Sequence, residues 1–420
     1  MLYERWRQIA GARLDQIALS DLATGTHLSF RELGAAAENQ SADGRPFAFP
    51  QGASAQFIVS LLGAWRAKQV TCPLEVGQPE PEISGNLPSE IVHLKTTSAT
   101  TGTPRLVAFT AGQLLADAEN IVATMGLRQE WPNLGVISLT HSYGFSNLVL
   151  PMLLHGIPLI LVGSALPEAL RRAAASERAV TLAAVPALWR TWHEAKAIPA
   201  NVRVAISAGA PLPLALEQGV FAAQGLKIHN FYGSSECGGI AFDALPGPRL
   251  DGSCVGSPAR NVTISVAEDG CLEVRSAAVA HGYWPEPDPN LGSGVFHTSD
   301  RGEIAFGLVY LRGRAGDQIN VAGRKVSPET IEKALAAHPE VRECLAFGVA
   351  SADAERGETI VACLALNQEV SGDALKQFLM SKLPPWQVPR EWWIVESLEA
   401  NHRGKISRAE WRKRWLERRS

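Results

Sequence analysis

The sequence predicts an α/β protein with a large N-terminal domain of parallel sheets covered by helices plus a small β-rich subdomain, followed by a smaller α+β C-terminal domain. Three observations predict it. Between residues 110 and 207, strand-like runs (LGVISLT, IPLILV, VTLAAV, VRVAIS) alternate with helix-like ones (GFSNLVLPMLL, PEALRRAAASE, PALWRTWHEAK), the pattern of a parallel sheet covered by helices. After residue 250 the pattern shifts to short alternating strands, NVTISVAEDGCLEVRS and GEIAFGLVYLRG, with a turn at Asp269 and Gly270. From residue 317 helix and strand signals alternate again, in a chain whose 420 residues suggest two or three domains. The boundaries read as 1–314 for the N-terminal domain, with the β-rich part at about 250–314, and 315–420 for the C-terminal domain.

Each element has a local reason. ALSDLATGTHLSFRELGAAAEN reads as a hairpin turning at Gly25 and then a helix, and FIVSLLGAWRAKQVTCPLE as a helix and a strand. IVHL, at 91–94, is an apolar run suited to a buried strand. Thr110 precedes Gln113 by three residues, a capping box, and Leu114, Leu115, Ala118, Ile121, Val122 and Met125 then keep one apolar face. The greasiest run, 148–163, contains His155, two prolines and two glycines. It falls short of the ~20 apolar residues that span a bilayer, so it reads as a buried helix and strand. Ser327, Pro328 and Glu329 open a further helix.

Composition narrows the function. At 46% hydrophobic, 19% charged and net charge −3, the chain is an ordinary globular protein with no bias toward nucleic acid. Six cysteines lack any CxxC pair, so neither a zinc site nor a disulfide framework is suggested, and the N-terminus lacks a signal-peptide core. A reducing, cytoplasmic location is expected.

The chemistry centres on KTTSATTGTPRLV, residues 95–107, where six hydroxyl side chains, Gly102 and Arg105 crowd one turn. Phosphate oxygens suit such surroundings: short donors, backbone N–H groups exposed where the chain bends, and a permanent cation. This stretch resembles the phosphate loop of the adenylate-forming superfamily, which includes acyl-CoA synthetases, nonribosomal peptide adenylation domains and luciferases. That loop usually reads TSGTTGxPK and here reads TSATTGTPR, with Ala99 and Arg105 as departures. Four further blocks match in order along nearly the whole chain.

The resemblance implies roles. Thr97, Ser98, Thr100, Thr101, Gly102 and Arg105 would cradle ATP phosphates. SAGAP brings Ser207, Gly209 and Ala210 to adenine and the substrate; in FYGSSECGG, Tyr232 would stack on adenine beside Gly233, Ser235 would meet the α-phosphate, and Glu236 would bind Mg2+. In HTSDRGEI, Asp300 would accept the ribose hydroxyls, and Arg314 would also reach the ribose. Gly323 and Lys325 would flank the thiol acceptor, CoA or the phosphopantetheine of an acyl carrier protein. Lys405, in NHRGKISR, would enter the site during adenylation, carried by a C-terminal domain that the resemblance implies is a mobile lid. THSYGF resembles the acyl-pocket block, with His141 as gate or as a core histidine, and with Tyr143, Phe145, Gly238 and Gly239 as apolar walls. No Asp or Glu occurs in that stretch, which argues against amino acids as substrates.

The implied activity is ATP-dependent activation of a fatty or aryl carboxylic acid to acyl-AMP, then transfer to a thiol. The alternative is a degenerate member that binds nucleotide or acyl-adenylate without turnover, suggested by the short run from Pro73 to the loop, Ala99, Gly316 at the hinge and no proline before Asn401. A Walker-type hydrolase is excluded by the lack of GxxxxGK[ST]. The basic tail from Arg403 reads as a solvated helix or as a docking face for an acidic carrier or a CoA phosphate.

Overall fold

The computed structural model describes residues 1–40, 44–83, 85–97, 105–351, 357–399 and 406–419. Ser98, Thr100, Thr101, Gly102 and Lys405 lie outside them.

In the larger sheet, Ile228–Ser234, Val202–Ser207, Val180–Ala184, Asn133–Gly135, Leu159–Leu161 and Ile17–Asp21 run parallel, side by side. Val180–Ala184 is buried at every position, as strands covered on both faces must be. Thr26–Ser29 closes the hairpin at Gly25. Beyond Ile228–Ser234 the sheet turns antiparallel, through Gly238–Phe242, Cys254–Pro258, Leu308–Arg314, Val295–Ala305, Cys271–Arg275 and Thr263–Val266. The β-rich stretch is thus hydrogen-bonded onto the parallel part. A second sheet holds Phe47–Ala48, Val70–Thr71 and Ile91–Thr96 in parallel, then Leu106–Thr110 and Gly282–Trp284 antiparallel.

The capping box at the next helix, Ala111–Met125, forms: Gln113 N–H donates to Thr110 Oγ1 at 3.4 Å, and Thr110 N–H to Gln113 Oε1 at 2.8 Å. LGVISLT is strand only as Asn133–Gly135, a correction to the expected longer strand. Beyond it the chain leaves the sheet because Ser138 and Thr140 bond the Glu75 carboxylate and Gly144 packs on the Ser138 carbonyl, where a Cβ would stand 1.9 Å away. The helix that follows widens to a π turn at Phe145–Val149 before Leu150–His155. Pro151 explains this: it has no N–H for the Asn147 carbonyl, which accepts from Asn133 Nδ2 at 3.3 Å instead.

The C-terminal part pairs Val341–Ala350 antiparallel and Glu391–Val395 parallel with Glu358–Leu366. Helices Pro328–Ala336 and Gly372–Met380 pack beside this sheet, and the tail helix Arg408–Arg419 buries Trp411 and Trp415 against Leu345 and Phe347. Arg408 is gripped by Asp317, Glu329 and Glu332. Lys333 meets Asp251 at 2.9 Å and Arg190 meets Glu343 at 2.7 Å, joining the C-terminal part to the larger one. Among the described residues, no helix is long and apolar enough to cross a membrane.

Candidate active site

Ser207, Gly209, Tyr232 and Gly233 lie at the carboxyl ends of two neighbouring parallel strands, where open α/β sheets bind ligands. Val202–Ser207 leads into Ser207–Ala210, with Gly209 at φ +88°, a conformation that favours glycine. Ser207 is fully buried, and its Oγ has no partner among the described residues. The Tyr143 hydroxyl lies across two of these strand ends, donating to Ile206 O at 3.3 Å and Ala184 O at 3.4 Å.

Ile228–Ser234 carries Tyr232 and Gly233, and the turn to Gly238–Phe242 carries Ser235 and Glu236. Gly233 must lack a side chain, since a Cβ would lie 2.6 Å from Gly238 O. The Tyr232 hydroxyl donates to Asp300 Oδ2 at 2.6 Å, and Arg314 Nε donates to Asp300 Oδ1 at 2.9 Å. Strand register places Asp300 opposite Arg314, which explains the second contact. Burial first, then the Asp300 charge, raises the Tyr232 phenol well above its ordinary range, so it remains a donor.

Thr97 and Arg105, on either side of residues 98–104, bond to each other: Thr97 N–H donates to Arg105 O at 2.9 Å, and Arg105 N–H to Thr97 Oγ1 at 3.0 Å. The Arg105 guanidinium lies 3.5 Å from the Tyr283 ring centroid and pairs with Asp288 Oδ2 at 3.0 Å. The Tyr283 hydroxyl in turn donates to Glu236 Oε1 at 3.0 Å. Arg105, Tyr283 and Glu236 therefore form one chain of contacts. Ser142 Oγ donates to Ser235 Oγ at 2.9 Å, tying the THSYGF segment to the same turn.

His141 Nε2 lies 3.1 Å from Glu75 Oε1, which also accepts from Thr140 Oγ1 at 2.8 Å. A carboxylate thus reaches this segment from a stretch far away in sequence, a feature that reading 139–150 alone misses. Phe145 is buried at 1% exposure and faces His93 rather than an open wall. Gly238 has φ +68°, and Gly239 N–H donates to Asp117 Oδ1 at 3.2 Å.

Gly323 and Lys325 belong to the hairpin of Ile319–Val321 and Arg324–Val326 in the C-terminal part, Gly323 at φ +79°. At the hinge, a Cβ on Gly316 would meet nothing within 4 Å, and the polar tie falls to its neighbour Asp317, bonded to Arg408. Tyr283, Asp288, Glu75, Ser142 and Asp117 are the site partners that sequence reasoning missed. Only Asp117 had a visible signal: a charge on the helix that otherwise supplies the apolar face. Asp269, Cys271 and His297 cluster within 4.8 Å on the β-rich part, where His297 Nε2 meets Asp269 Oδ2 at 3.0 Å and Arg301 bonds the Asp269 carbonyl.

Comparison with known proteins gives a consistent family. The model of the AMP-binding enzyme family matches residues 84–284, and that of the AMP-binding enzyme C-terminal domain matches residues 330–405. A probable 2-succinylbenzoate–CoA ligase of Mycobacterium tuberculosis (strain CDC 1551 / Oshkosh) is 30% identical over 343 residues, covering 78% of this chain and 85% of that protein. A feruloyl-CoA synthase of Amycolatopsis sp is 27% identical over 385 residues, covering 85% and 77%. Among solved structures, ATP-bound MatB from Rhodopseudomonas palustris aligns with TM-score 0.87 at 19% identity over 100% of both chains. The o-succinylbenzoate CoA synthetase (MenE) of Bacillus subtilis, in complex with the acyl-adenylate OSB-AMP, aligns with TM-score 0.79 at 20% identity over 97% of both.

Proposed function

Because the chain belongs to the family of AMP-binding enzymes, we propose that it is an ATP-dependent acid–thiol ligase that makes an acyl-CoA. A carboxylate oxygen attacks the α-phosphorus of ATP, pyrophosphate leaves, and the thiolate sulfur of CoA then displaces AMP from the acyl carbon. The observation that carries this reading is the Asp300 carboxylate, held by Tyr232 and Arg314.

Asp300 is oriented from both oxygens, which leaves its remaining lone pairs for two vicinal hydroxyls, the recognition a ribose requires. The Tyr232 ring, fixed by that same bond, offers a face to adenine, with the Ser207–Ala210 turn as the opposing edge. Ser235 faces the α-phosphate. Arg105 supplies fixed positive charge for the departing pyrophosphate, and the hydroxyls of Thr97, Ser98, Thr100 and Thr101 are assigned to the same phosphates.

Mg2+ suits Glu236, since this ion commonly takes one or two carboxylates and completes its shell with phosphate oxygens and water. Tyr283 occupies Oε1 and orients the carboxylate for that ion, whose chemistry is to neutralise the β- and γ-phosphates. Lys405 is assigned to the α-phosphate and the attacking carboxylate, and Gly323 and Lys325 to the thiol's approach.

The acid is aromatic or fatty. The relatives named for 2-succinylbenzoate and feruloyl substrates favour an aryl acid, and a long-chain fatty acid ligase of Bacillus subtilis matches at 26% identity. His141 and Glu75 stand at the reacting end, with Tyr143, Gly238 and Gly239 along the wall. CoA is the acceptor that the relatives' names support, and an acyl carrier protein is the finer alternative. Most of the tail's basic groups engage acids of the same chain, Arg412 with Glu358, Arg414 with Glu399 and Arg419 with Glu391, which favours the solvated-helix reading. A cytoplasmic location fits the cysteine usage.

Acid-dependent pyrophosphate release by the purified chain, across fatty, aryl and amino acids, tests the reading. Release with at least one acid, coupled to acyl-CoA formation, supports it. Nucleotide binding with no release for any acid would support the non-catalytic alternative.

A further inference from the structure

Asp269, Cys271 and His297 lie on the β-rich part, and none of the roles assigned above uses them. Their ligating atoms all stand within 4.8 Å of one another, and no other three histidine, cysteine or carboxylate side chains come together in this way among the described residues. Cysteine spacing does not announce the group, because its members come from two strands. Asp269 and Cys271 flank Gly270 at the turn into Cys271–Arg275, and His297 belongs to the neighbouring Val295–Ala305.

The backbone fixes all three positions. Gly270, at φ +81°, closes the turn: its N–H donates to Ala267 O at 2.9 Å, and Ala267 N–H donates to Cys271 O at 2.8 Å. The turn is bonded in its turn to the strand that carries His297, through Gly302 N–H to Gly270 O at 3.1 Å and Arg301 Nη2 to Asp269 O at 2.7 Å. Ligands held by paired strands are placed more accurately than ligands on free loops.

The donors are an imidazole nitrogen, a sulfur and a carboxylate oxygen, the three kinds that Zn2+ takes. Bonded to that ion at about 2.0–2.3 Å, such atoms stand roughly 3.3–3.8 Å apart. His297 Nε2 and Asp269 Oδ2 are already 3.0 Å apart, and the widest separation, at most 4.8 Å, closes by about 1 Å through side-chain rotation.

The local charge suits a dication. The Cys271 amide first, and His297 next, hold the Asp269 carboxyl below its ordinary range, so it is ionised. Cys271 is buried at 2% exposure; burial first and then Asp269 raise its thiol pKa, and the Arg301 guanidinium opposes them. A metal ion reverses that balance, because a coordinating thiol is deprotonated outright. Asp269 and the thiolate then carry two negative charges against the single positive charge of Arg301. Glu273 and Arg275, next along the strand, pair with each other at 2.7 Å and add no net charge.

We propose that Asp269, Cys271 and His297 form a Zn2+ site, completed by solvent, that clips the Gly270 turn to the strand carrying Asp300. As the ion binds, the Cys271 thiol gives its proton to solvent. Zn2+ bonds Cys271 Sγ, His297 Nε2 and an Asp269 oxygen, and the imidazole stays neutral with its proton on Nδ1. The site is structural, with His297 three residues from Asp300 on one strand. It is separate from the Mg2+ assigned to Glu236, since sulfur and nitrogen donors suit Zn2+ and not that harder ion.

The test uses the full chain, stripped with a chelator and titrated with Co2+ and then Zn2+, both in excess Mg2+. One equivalent of Co2+ should give the thiolate-to-cobalt charge-transfer absorption of a tetrahedral site. Zn2+ should remove that absorption by displacement and raise Tm, as a ligand of the folded state must. Cys271→Ser should lose the absorption, and His297→Ala should weaken Zn2+ binding by about tenfold or more. Should Cys271→Ser fail to fold, His297→Ala and Asp269→Asn, whose side chains lie nearer the surface, decide through the same affinity loss. No charge-transfer absorption in wild type, the same absorption in Cys271→Ser, a Tm unmoved by Zn2+, or unchanged Zn2+ affinity in His297→Ala overturns the proposal. Pyrophosphate release enters none of these readouts, so the outcome bears on this site and not on the ligase reading.

Discussion

Tyr283 joins Arg105 to Glu236: its ring lies 3.5 Å from the Arg105 guanidinium and its hydroxyl donates to Glu236 Oε1 across 3.0 Å. Tyr283→Phe keeps the ring under Arg105 and removes only the proton that orients Glu236. We expect a fall of about tenfold in kcat/KM and a higher Mg2+ concentration at half-maximal rate, with stability lowered by about 1 kcal/mol at most. A Mg2+ titration of pyrophosphate release checks this; an unchanged midpoint would separate Tyr283 from the metal.

Asp300 takes its orientation from Tyr232 and Arg314. Asp300→Ala leaves both donors facing an empty position and removes the acceptor proposed for the ribose. ATP affinity should drop by about 2 kcal/mol or more, read by calorimetry with a non-hydrolysable analogue. Tyr232→Phe should lose less, because Arg314 still holds one oxygen. Equal losses in the two variants would contradict this ordering.

Gly238 is fixed by Asp117. Its φ is +68°, and a Cβ there would stand 1.9 Å from Asp117 Oδ1. Gly238→Ala should destabilise the protein by about 2–4 kcal/mol, combining backbone strain with overpacking. Added Asp117→Ala should recover the steric part, a coupling that urea unfolding of the double-mutant cycle measures. Strictly additive effects would show that the two residues do not interlock.

Asp251 gives a pH signature to the contact between the two parts of the chain. Burial alone would raise its pKa, but the Ser253 amide and hydroxyl and the Lys333 ammonium outweigh it and bring the carboxyl from 3.8 down to about 2. A depressed carboxyl stabilises the fold above its unfolded pKa and loses that contribution as pH falls through the folded one. The destabilisation caused by Asp251→Asn should therefore be full at pH 7 and shrink between about pH 4 and pH 2, as followed by urea unfolding at each pH. A cost that does not vary with pH would remove the charge from the explanation.

Much of this was legible in the sequence because local chemistry decided it. The Thr110 and Gln113 capping box, the Gly25 hairpin and the largely apolar VTLAA strand were specified by neighbouring residues, and the structure has each of them. What was not legible came from distant partners. Glu75 reaches His141 across 66 residues of chain, Asp288 reaches Arg105 and Tyr283 reaches Glu236, and no spacing rule announces such pairs. The LGVISLT strand was overestimated because its apolar alternation continues through 136–139, while the hydroxyls of Ser138 and Thr140 are drawn out of the sheet by Glu75. The charge of Asp117 was visible on its helix, but its burial was not. Burying a charge is the exception that periodicity cannot foresee.

The role assigned to Lys405 predicts that the two half-reactions respond differently to its loss. Lys405→Ala should abolish acyl-adenylate formation from acid and ATP while sparing thioester formation from supplied acyl-AMP and CoA, measured as two separate assays. Equal loss in both would contradict its assignment to the first step.

The most direct measurement is isotope exchange between pyrophosphate and ATP in the absence of CoA. If the chain activates an acid by adenylation, label should enter ATP only when a suitable carboxylic acid is present, and Asp300→Ala should suppress the exchange. Exchange that needs no acid, or acid-dependent formation of ADP and orthophosphate in its place, would contradict the account.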